Sequence, residues 1–298
     1  MADSVYQQFC QSARDFGERP FLMLVSDSAE RYGIQPGSIS YADAELKINH
    51  LAAAYAARDI KKADRVAIGL DNRPECFFHW LALNALGASA VPLNPAWQSA
   101  ELEYVLGHSE ACLAVVLPEY TAALQRAASS TNQCPVLAVD DLGSGQDFEI
   151  QGNSSTECAL LYTSGTTGKP KGCMLSNEYF IVAGNWYANI GGYCELQPGK
   201  DRLITPLPMY HMNAMASSTM GMLMTGSCIV PLDRFHPSTW WQSIEESDAS
   251  IMHYLGVMPA MLMNLPEEPH DRAHNIRFGF GAGLSGELHT AFEQRFNI

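Results

Sequence analysis

The sequence predicts an α/β fold of stacked, mostly parallel sheets flanked by helices. Short apolar runs such as 65–70 and 112–117 alternate with helical segments of about 10 to 15 residues, which is the pattern of βαβ units. The chain has 298 residues, of which 47% are hydrophobic and 17% are charged. This composition is typical of a globular protein and excludes a disordered or coiled-coil chain, and the length favours more than one hydrophobic core.

The elements follow in order along the chain. The segment 74–86 begins with Pro74 and is followed by Gly87, which is the usual asymmetry of helix ends. Apolar spacing predicts the other helices over 42–58, 99–108, 177–190, 212–224, 238–247 and 259–265. Apolar runs predict strands over 65–70, 88–92, 112–117, 202–205, 228–231, 250–255 and 276–280. The polar runs 140–157 and 266–275 predict surface loops.

Charge and cysteine spacing limit the class of function. The formal net charge is −14, which disfavours nucleic acid and anionic lipid as partners. Two stretches without charged residues, 76–100 and 203–232, contain several prolines and polar side chains and are read as buried segments rather than membrane spans. The eight cysteines form no CxxC pair, and the N-terminus has no signal-peptide pattern. We therefore expect a reduced, cytoplasmic protein, and a homodimer remains open.

The chemistry is concentrated where a short apolar strand beginning at Cys158 runs into a loop of Gly, Ser and Thr. Glycines let backbone amides approach an anion, and hydroxyls and lysines add donors and positive charge. Two lysines are followed by a segment that is read as helical. The candidate phosphate-binding residues are Thr163, Ser164, Gly165, Thr166, Thr167, Gly168, Lys169 and Lys171. The alternative to a phosphate-binding loop is a flexible linker without a binding function, but linkers do not usually lie between a buried strand and a helix.

A Walker A loop is excluded at this position. That pattern requires glycine where the chain has Thr163, and serine or threonine where it has Pro170. The run Tyr-Thr-Ser-Gly-Thr-Thr-Gly-Lys-Pro-Lys-Gly over 162–172 instead resembles the phosphate loop of the adenylate-forming (AMP-binding) superfamily. The segments 71–75, 87–95 and 206–214 resemble other motifs of this superfamily in the right order. In detail the chain is similar to the carnitine/crotonobetaine-CoA ligase and medium- or long-chain acyl-CoA ligase branch.

The resemblance implies a two-step reaction on a small-molecule carboxylic acid. The carboxylate attacks the α-phosphorus of ATP to give an acyl-adenylate and pyrophosphate, and the thiol of coenzyme A then displaces AMP. Positioning and electrostatics dominate such chemistry, with Mg²⁺ and the loop neutralising the phosphates. By resemblance, Thr163 to Lys171 hold the β- and γ-phosphates, and Thr163 is also the candidate residue beside the metal ion.

The resemblance also indicates an acyl pocket around the charge-free stretch 203–232. His211 follows two prolines in this stretch, and its alternatives are a satisfied core histidine or a pocket residue beside the acyl-adenylate. The match favours the pocket, without a role as general base. The candidate pocket residues are Tyr210, His211, Met212, Met215, Tyr254 and Gly256. Six methionines lie in this stretch, and both a tunnel wall and ordinary core packing remain open for them.

A GxGxxG pattern spans 281–286 between a predicted strand and a helix. Alone it fits a dinucleotide-binding fold, but it lies far from the first βαβ unit, and the sequence ends at Ile298, before the acidic residue expected about 20 positions further on. The resemblance instead implies that Gly281, Ala282 and Gly283 form a backbone shelf beside the adenine and the acyl carbonyl.

The superfamily implies further motifs beyond Ile298, including the adenylation lysine, a metal-binding glutamate and a C-terminal lid domain. We therefore expect residues 1–298 to be a truncated N-terminal adenylation domain that folds but does not turn over alone. Its expected subdomains are 55–180, with the first sheet and phosphate loop, and 1–54 plus 181–298, with the second sheet. Two alternatives stay open, namely loading of a carrier-protein thiol and a nucleotide-binding fragment without catalysis.

Overall fold

Two six-stranded sheets form the frame of the fold in a computed structural model that describes residues 2–131, 133–163 and 169–298. The strands in these ranges are β1 (Pro20–Leu24), β2 (Gly37–Ser40), β3 (Arg65–Gly69), β4 (Ser89–Pro92), β5 (Leu113–Val116), β6 (Val136–Ala138), β7 (Glu157–Thr163), β8 (Lys171–Ser176), β9 (Arg202–Thr205), β10 (Cys228–Pro231), β11 (Ile251–Leu255) and β12 (Phe278–Ala282). The α-helices are α1 (Val5–Phe16), α2 (Ser26–Tyr32), α3 (Tyr41–Ala56), α4 (Pro74–Ala85), α5 (Ser99–Ser109), α6 (Pro118–Ser129), α7 (Asn177–Ala188), α8 (Thr219–Thr225), α9 (Trp240–Ser247), α10 (Val257–Met263) and α11 (Gly286–Phe296).

The sheets are mostly parallel, as the sequence predicts. Sheet I has the order β12-β11-β9-β10-β1-β2, and sheet II has the order β6-β5-β3-β4-β7-β8. Neighbouring strands pair in parallel except at one edge of each sheet, where β2 runs antiparallel to β1 and β8 antiparallel to β7. Because the other strands point the same way, the loops after their carboxyl ends gather on one edge of each sheet, where ligands usually bind in open α/β sheets.

Alternating apolar side chains on the strands divide the molecule into layers. In β3, Val66 and Ile68 belong to the central core, while Ala67 faces an outer core. In β9, Leu203 points to the central core and Ile204 to the other outer core. The central core contains residues of α1, α3, α4, α7 and α8 together with both sheets. Helices α5 and α6 cover the outer face of sheet II, and α9, α10 and α11 cover that of sheet I. The stacked arrangement is therefore confirmed.

Most elements predicted from the sequence lie within two residues of the observed ones, and the strands over 202–205 and 228–231 coincide with β9 and β10. The edge strand β8, which begins at Lys171 and pairs with β7 in an antiparallel hairpin, is not among the predicted elements, and the helix predicted over 177–190 follows it as α7. The segment 212–224 is helical, but it starts as a π-helix over Asn213–Ser218 before α8 begins.

Two global properties can be read from the described residues. None of the helices within those ranges combines the length and apolar character that a membrane crossing requires. All eight cysteines lie in the described ranges and all are free thiols. Within the described chain, packing and hydrogen bonds therefore hold the fold together without disulfide cross-links.

Candidate functional site

The hairpin between β7 and β8 carries the candidate phosphate-binding residues. Thr163 ends β7 and pairs with Lys171, the first residue of β8. The side chains of Thr163, Lys169 and Lys171 are exposed, and the Lys169 ammonium lies 5.4 Å from the centre of the Tyr104 ring. The candidates Ser164, Gly165, Thr166, Thr167 and Gly168 lie outside the described residues. The hairpin thus brings two solvent-accessible cations and one hydroxyl to the carboxyl end of β7.

A cluster of rings fixes the base of this hairpin. The Tyr162 hydroxyl forms a 2.8 Å hydrogen bond with Nδ1 of His108, and the His108 ring lies 5.3 Å from that of Tyr104. The Trp97 ring meets the Tyr162 ring edge-on at 6.2 Å. Burial raises the pKa of Tyr162 to about 12, so its hydroxyl stays protonated at neutral pH. These contacts join α5 to β7 and place Tyr104 beside Lys169.

A cavity of about 450 Å³ opens beside the end of β7, and residues of both sheets line it. Thr163 comes from sheet II, while Tyr210, His211 and Met212 come from the loop after β9 in sheet I. The complete lining is Leu161, Tyr162, Thr163, Cys173, Leu175, Tyr179, Leu207, Pro208, Tyr210, His211, Met212, Asn213 and Leu255. We call this space the inter-sheet cavity. Its volume is in the usual range for small-molecule sites of about 300–1,000 Å³.

His211 lies at the rim of the inter-sheet cavity. Its ring is 4.7 Å from the Tyr210 ring, and the residue is exposed to solvent. Partial burial lowers the pKa of His211 below the usual histidine value. The imidazole is therefore neutral at pH 7, and it can donate one hydrogen bond and accept another without adding a fixed charge.

Asn213 is a cavity residue that the sequence reasoning missed. It begins the π-helix over Asn213–Ser218, and such irregular turns are frequent at functional sites. Its Oδ1 atom is buried and has no hydrogen-bond partner among the described residues. A buried acceptor without a partner is costly, so this oxygen is suited to a donor or cation supplied by a ligand.

The candidate shelf lies at the carboxyl ends of β11 and β12. Tyr254 pairs with Gly281. A Cβ on Gly281 would lie 2.7 Å from the Tyr254 ring, and a Cβ on Gly256 would lie 2.9 Å from Cα of Gly283. Gly283 has φ +84°, a conformation that favours glycine. These close approaches leave residues 281–283 as an exposed strip of backbone with little room for side chains.

The structure separates three of the candidate pocket residues, Met215, Tyr254 and Gly256, from the inter-sheet cavity. Met215 is completely buried in the central core and does not line the cavity. Tyr254 lines a second groove of about 530 Å³ together with Phe278 and Gly279. Leu255, the next residue along β11, does line the inter-sheet cavity and is half exposed. Leu255, which the sequence reasoning also missed, therefore links the shelf strands to the cavity.

One group of potential metal ligands occurs among the described residues, away from this site. Asp27, Asp233 and His236 place their ligand atoms within 4.8 Å of one another. Arg31 already lies 3.2 Å from Asp27 and 3.9 Å from Asp233, and His236 Nε2 is 2.8 Å from Asp233. This group is therefore an ion-pair network in the described structure. Two residues that line the inter-sheet cavity carry oxygen atoms of the kind that hard cations bind, namely the exposed Thr163 with its hydroxyl and Asn213 with Oδ1.

Comparison with known proteins finds relatives that match most of the chain. The chain is 28% identical over 305 residues to the medium/long-chain-fatty-acid–CoA ligase FadD6 of Mycobacterium tuberculosis, a match that covers 99% of this chain and 49% of that protein. It is 28% identical over 280 residues to the crotonobetaine/carnitine–CoA ligase of Salmonella paratyphi B, covering 87% of this chain and 53% of that protein. The chain thus spans about half the length of the curated relatives it matches.

The fold also matches solved structures. O-succinylbenzoate coenzyme A synthetase (MenE) from Bacillus subtilis, in complex with ATP and magnesium ion, superimposes with a TM-score of 0.82 at 23% identity. The superposition covers 97% of this chain and 57% of that chain. The AMP-binding enzyme family matches residues 9–298. Because that match spans nearly the whole sequence, the chain belongs to the AMP-binding enzyme family.

Proposed function

We propose that this chain provides the nucleotide- and acid-binding part of an AMP-forming, ATP-dependent acyl-CoA ligase. The observation that carries the proposal is that Thr163, at the end of sheet II, and His211, on the loop after β9 of sheet I, line one cavity. The exposed Lys169 and Lys171 belong to the β7–β8 hairpin that carries Thr163. The names of the two curated relatives support an acid and coenzyme A as the substrates that accompany ATP.

The hairpin residues would bind the phosphates of ATP. The protein carries a net charge of −14, so Lys169 and Lys171 supply local positive charge that a polyphosphate requires. Mg²⁺, when bound, would neutralise phosphate charge, with Thr163 and Asn213 as the candidate oxygen donors. The roles of residues 164–168 rest on their sequence pattern, since they lie outside the described residues.

The inter-sheet cavity would hold the acid and the acyl-adenylate. Its wall is mainly apolar, which excludes water from the reacting carboxylate and strengthens electrostatic contacts there. The neutral His211 would hydrogen-bond to the carboxylate or acyl oxygen and orient it. Holding the carboxylate near the α-phosphorus lowers the barrier by converting an encounter between two molecules into a step within one complex.

Binding of ATP tests the phosphate assignment directly. In a Lys169→Ala, Thr166→Ala double variant, affinity for Mg·ATP and the rate of pyrophosphate release should fall more than about tenfold, because charge-assisted phosphate contacts are lost. Calorimetry measures the binding on the 298-residue chain, and pyrophosphate release measures adenylation in a chain of the relatives' length.

Lys200→Ala is the matched control for that experiment. Lys200 is also an exposed lysine, but it precedes β9 and therefore lies at the amino end of that strand, away from the carboxyl end that leads into the His211 loop. Equal ATP affinity in the double variant and in Lys200→Ala would contradict the assignment.

The acyl acceptor needs a separate test. Loading of a carrier-protein thiol uses the same first step, and the motifs of this chain do not distinguish it from transfer to coenzyme A. Detection of an acyl thioester on free coenzyme A would support the proposed ligase. Thioester formed only on a carrier protein would replace it with the carrier-loading function, and nucleotide binding without adenylation would indicate a non-catalytic module.

A further inference from the structure

A single buried amide, that of Asn72, connects the two sheets beside the inter-sheet cavity. Asn72 lies just after β3 of sheet II, and its side chain is 5% exposed. Its Nδ2 donates to the carbonyl oxygens of Leu207 at 3.0 Å and Leu232 at 3.1 Å. Its Oδ1 accepts from the backbone N–H of Met209 at 2.8 Å. All three partners belong to the segments that follow β9 and β10 of sheet I.

The loop after β9, which makes two of these bonds, has few backbone N–H donors of its own. Pro206 and Pro208 carry no backbone donor, so the N–H groups of Leu207 and Met209 alternate with positions that cannot donate. The N–H of Leu207 donates to the Thr205 hydroxyl at 3.1 Å, and that of Met209 donates to Asn72. The next two residues along the chain are Tyr210 and His211. Asn72 therefore holds the backbone immediately before the cavity residues.

The backbone that carries the Asn72 side chain is itself held in place on sheet II. The preceding Asp71 adopts φ 53°, and its carboxylate accepts a hydrogen bond from the Tyr120 hydroxyl of α6 at 3.2 Å. Sheet II also carries Thr163 at the end of β7, two strands away from β3. Asn72 thus ties the sheet that bears Thr163 to the loop that bears His211.

We propose that Asn72 is a positioning residue that sets the separation of the phosphate hairpin and the His211 loop across the inter-sheet cavity. It lies outside the cavity lining and touches no reacting group. Its effect is transmitted through Leu207 and Met209, which place Tyr210 and His211. This inference rests on the proposed use of the cavity for an acyl-adenylate, but the positioning itself can be measured without any ligand.

The test needs a control that separates positioning from general loss of stability. Asn84 is another fully buried asparagine, and its side chain accepts from the Tyr6 N–H at 2.8 Å and donates to Asn177 Oδ1 at 2.9 Å. It joins α4 to α1 and to the start of α7, and it contacts neither the loop after β9 nor the cavity. Asn84→Ala therefore removes bonds of the same kind from a different part of the core.

Hydrogen exchange of the 298-residue chain gives the first readout. In Asn72→Ala, amides 207–213 should exchange at least about tenfold faster while the amides of α7 and α8 keep their protection. In Asn84→Ala, amides 207–213 should be unchanged. Asn72→Ser introduces a hydroxyl that can replace one of the lost bonds. If the alanine variant does not fold, this milder variant should still show faster exchange of the same amides than the unmodified chain. Unchanged exchange at 207–213 in both Asn72 variants would overturn the proposal.

Ligand binding gives the second readout, with a non-hydrolysable acyl-adenylate analogue as the probe. The analogue spans both sheets, so its affinity should fall about tenfold or more in Asn72→Ala, because small misplacements of positioning groups have large effects. Asn84→Ala should bind it within threefold of the unmodified chain. An equal loss in both variants would show that Asn72 is only structural. If the unmodified chain does not bind the analogue, the proposed function fails, and hydrogen exchange still decides whether Asn72 positions the loop.

Discussion

A buried series of hydrogen-bonded side chains supports the π-helix that follows the His211 loop. His253 of β11 is completely buried, with Nε2 2.7 Å from the Tyr187 hydroxyl and Nδ1 2.7 Å from the Ser218 hydroxyl. Burial raises the pKa of Tyr187, so its hydroxyl stays protonated and can donate to Nε2. The Nδ1–H then donates to Ser218, whose own proton is free to donate to the Asn213 carbonyl at 3.1 Å. This direction satisfies every donor and holds the π-helix that presents Asn213 to the cavity.

Acid should weaken the folded state through this histidine and through His79. Burial lowers the pKa of both from 6.5 to about 3, so between these values the unfolded chain binds protons that the folded chain does not. The free energy of unfolding should therefore fall as the pH drops from 6.5 toward 3. The slope should approach about 1.4 kcal/mol per pH unit for each histidine. Denaturant unfolding at a series of pH values measures it.

A His253→Gln variant isolates one of the two contributions. It should be less stable than the unmodified chain at pH 7.5, because Tyr187 and Ser218 lose well-placed partners. Its pH slope below 6.5 should be smaller by about 1.4 kcal/mol per pH unit. His50→Gln, at an exposed position of α3, is the control and should leave the slope unchanged. A His253→Gln slope equal to that of the unmodified chain would refute the argument.

At the scale of elements, glycines allow α7 and α8 to pack closely behind the cavity. A Cβ on Gly184 of α7 would lie 2.7 Å from Cβ of Met220 and 2.9 Å from Sδ of Met224. On the facing helix, a Cβ on Gly221 would lie 3.1 Å from Cγ of Tyr187. Tyr187 also bonds to His253, so this close contact lies next to the buried hydrogen bonds described above.

Gly184→Ala should destabilise the protein although alanine favours helices. The propensity gain is about 1 kcal/mol, whereas forcing extra atoms into a packed core costs about 1–3 kcal/mol and shifts the backbone. The matched control is Gly107→Ala in α5, where the nearest atoms to a new Cβ lie at 3.6 Å. There the free energy of unfolding should rise by about 0.5–1 kcal/mol. Thermal and denaturant unfolding measure both variants. A change of the same sign in the free energy of unfolding of the two variants would contradict this account of the interface.

The elements also show which parts of the structure the sequence can predict. The central strand β10 is a continuous apolar run and β9 has an apolar centre, because helices cover both of their faces, and both strands are predicted correctly. The edge strand β8 is largely exposed, so its residues show no such run and the sequence does not predict a strand there. Helix α1 is not among the predicted helices, although the sequence carries a signal for it, since Val5, Phe9 and Ala13 recur every four residues and are buried.

The candidate site was predictable to a similar extent. The hairpin and the His211 loop follow from local motifs, and the structure brings Thr163, Tyr210, His211 and Met212 to one cavity. Contacts between distant segments carry no local signal. The spacing between Asn72 and Met209 does not reveal their hydrogen bond, and nothing in the run of methionines separates the buried Met215 from the half-exposed Met212.

At the scale of the whole molecule, charge and cavity chemistry together would select the substrate of the proposed ligase. The net charge of −14 repels anions in general, and in the proposed function the exposed lysines of the hairpin would bind the phosphates. Among the described residues that line the inter-sheet cavity there is no arginine or lysine, and His211 is neutral at pH 7. A carboxylate at the far end of an acyl chain would therefore lose its hydration without gaining a cationic partner. Burying such an unpaired charge costs several kcal/mol.

This arrangement predicts a strong preference for monocarboxylic acids. Two non-hydrolysable acyl-adenylate analogues of equal chain length, one ending in a methyl group and one in a carboxylate, should differ at least about a hundredfold in affinity, which corresponds to about 2.7 kcal/mol. Calorimetry on the 298-residue chain measures both without requiring turnover. Met212→Lys adds a cation to a half-exposed side chain of the cavity wall and should narrow the difference, whereas Met261→Lys, at an exposed methionine outside the lining, should not. Tighter binding of the carboxylate-ended analogue to the unmodified chain would mean that the acyl chain does not enter the inter-sheet cavity.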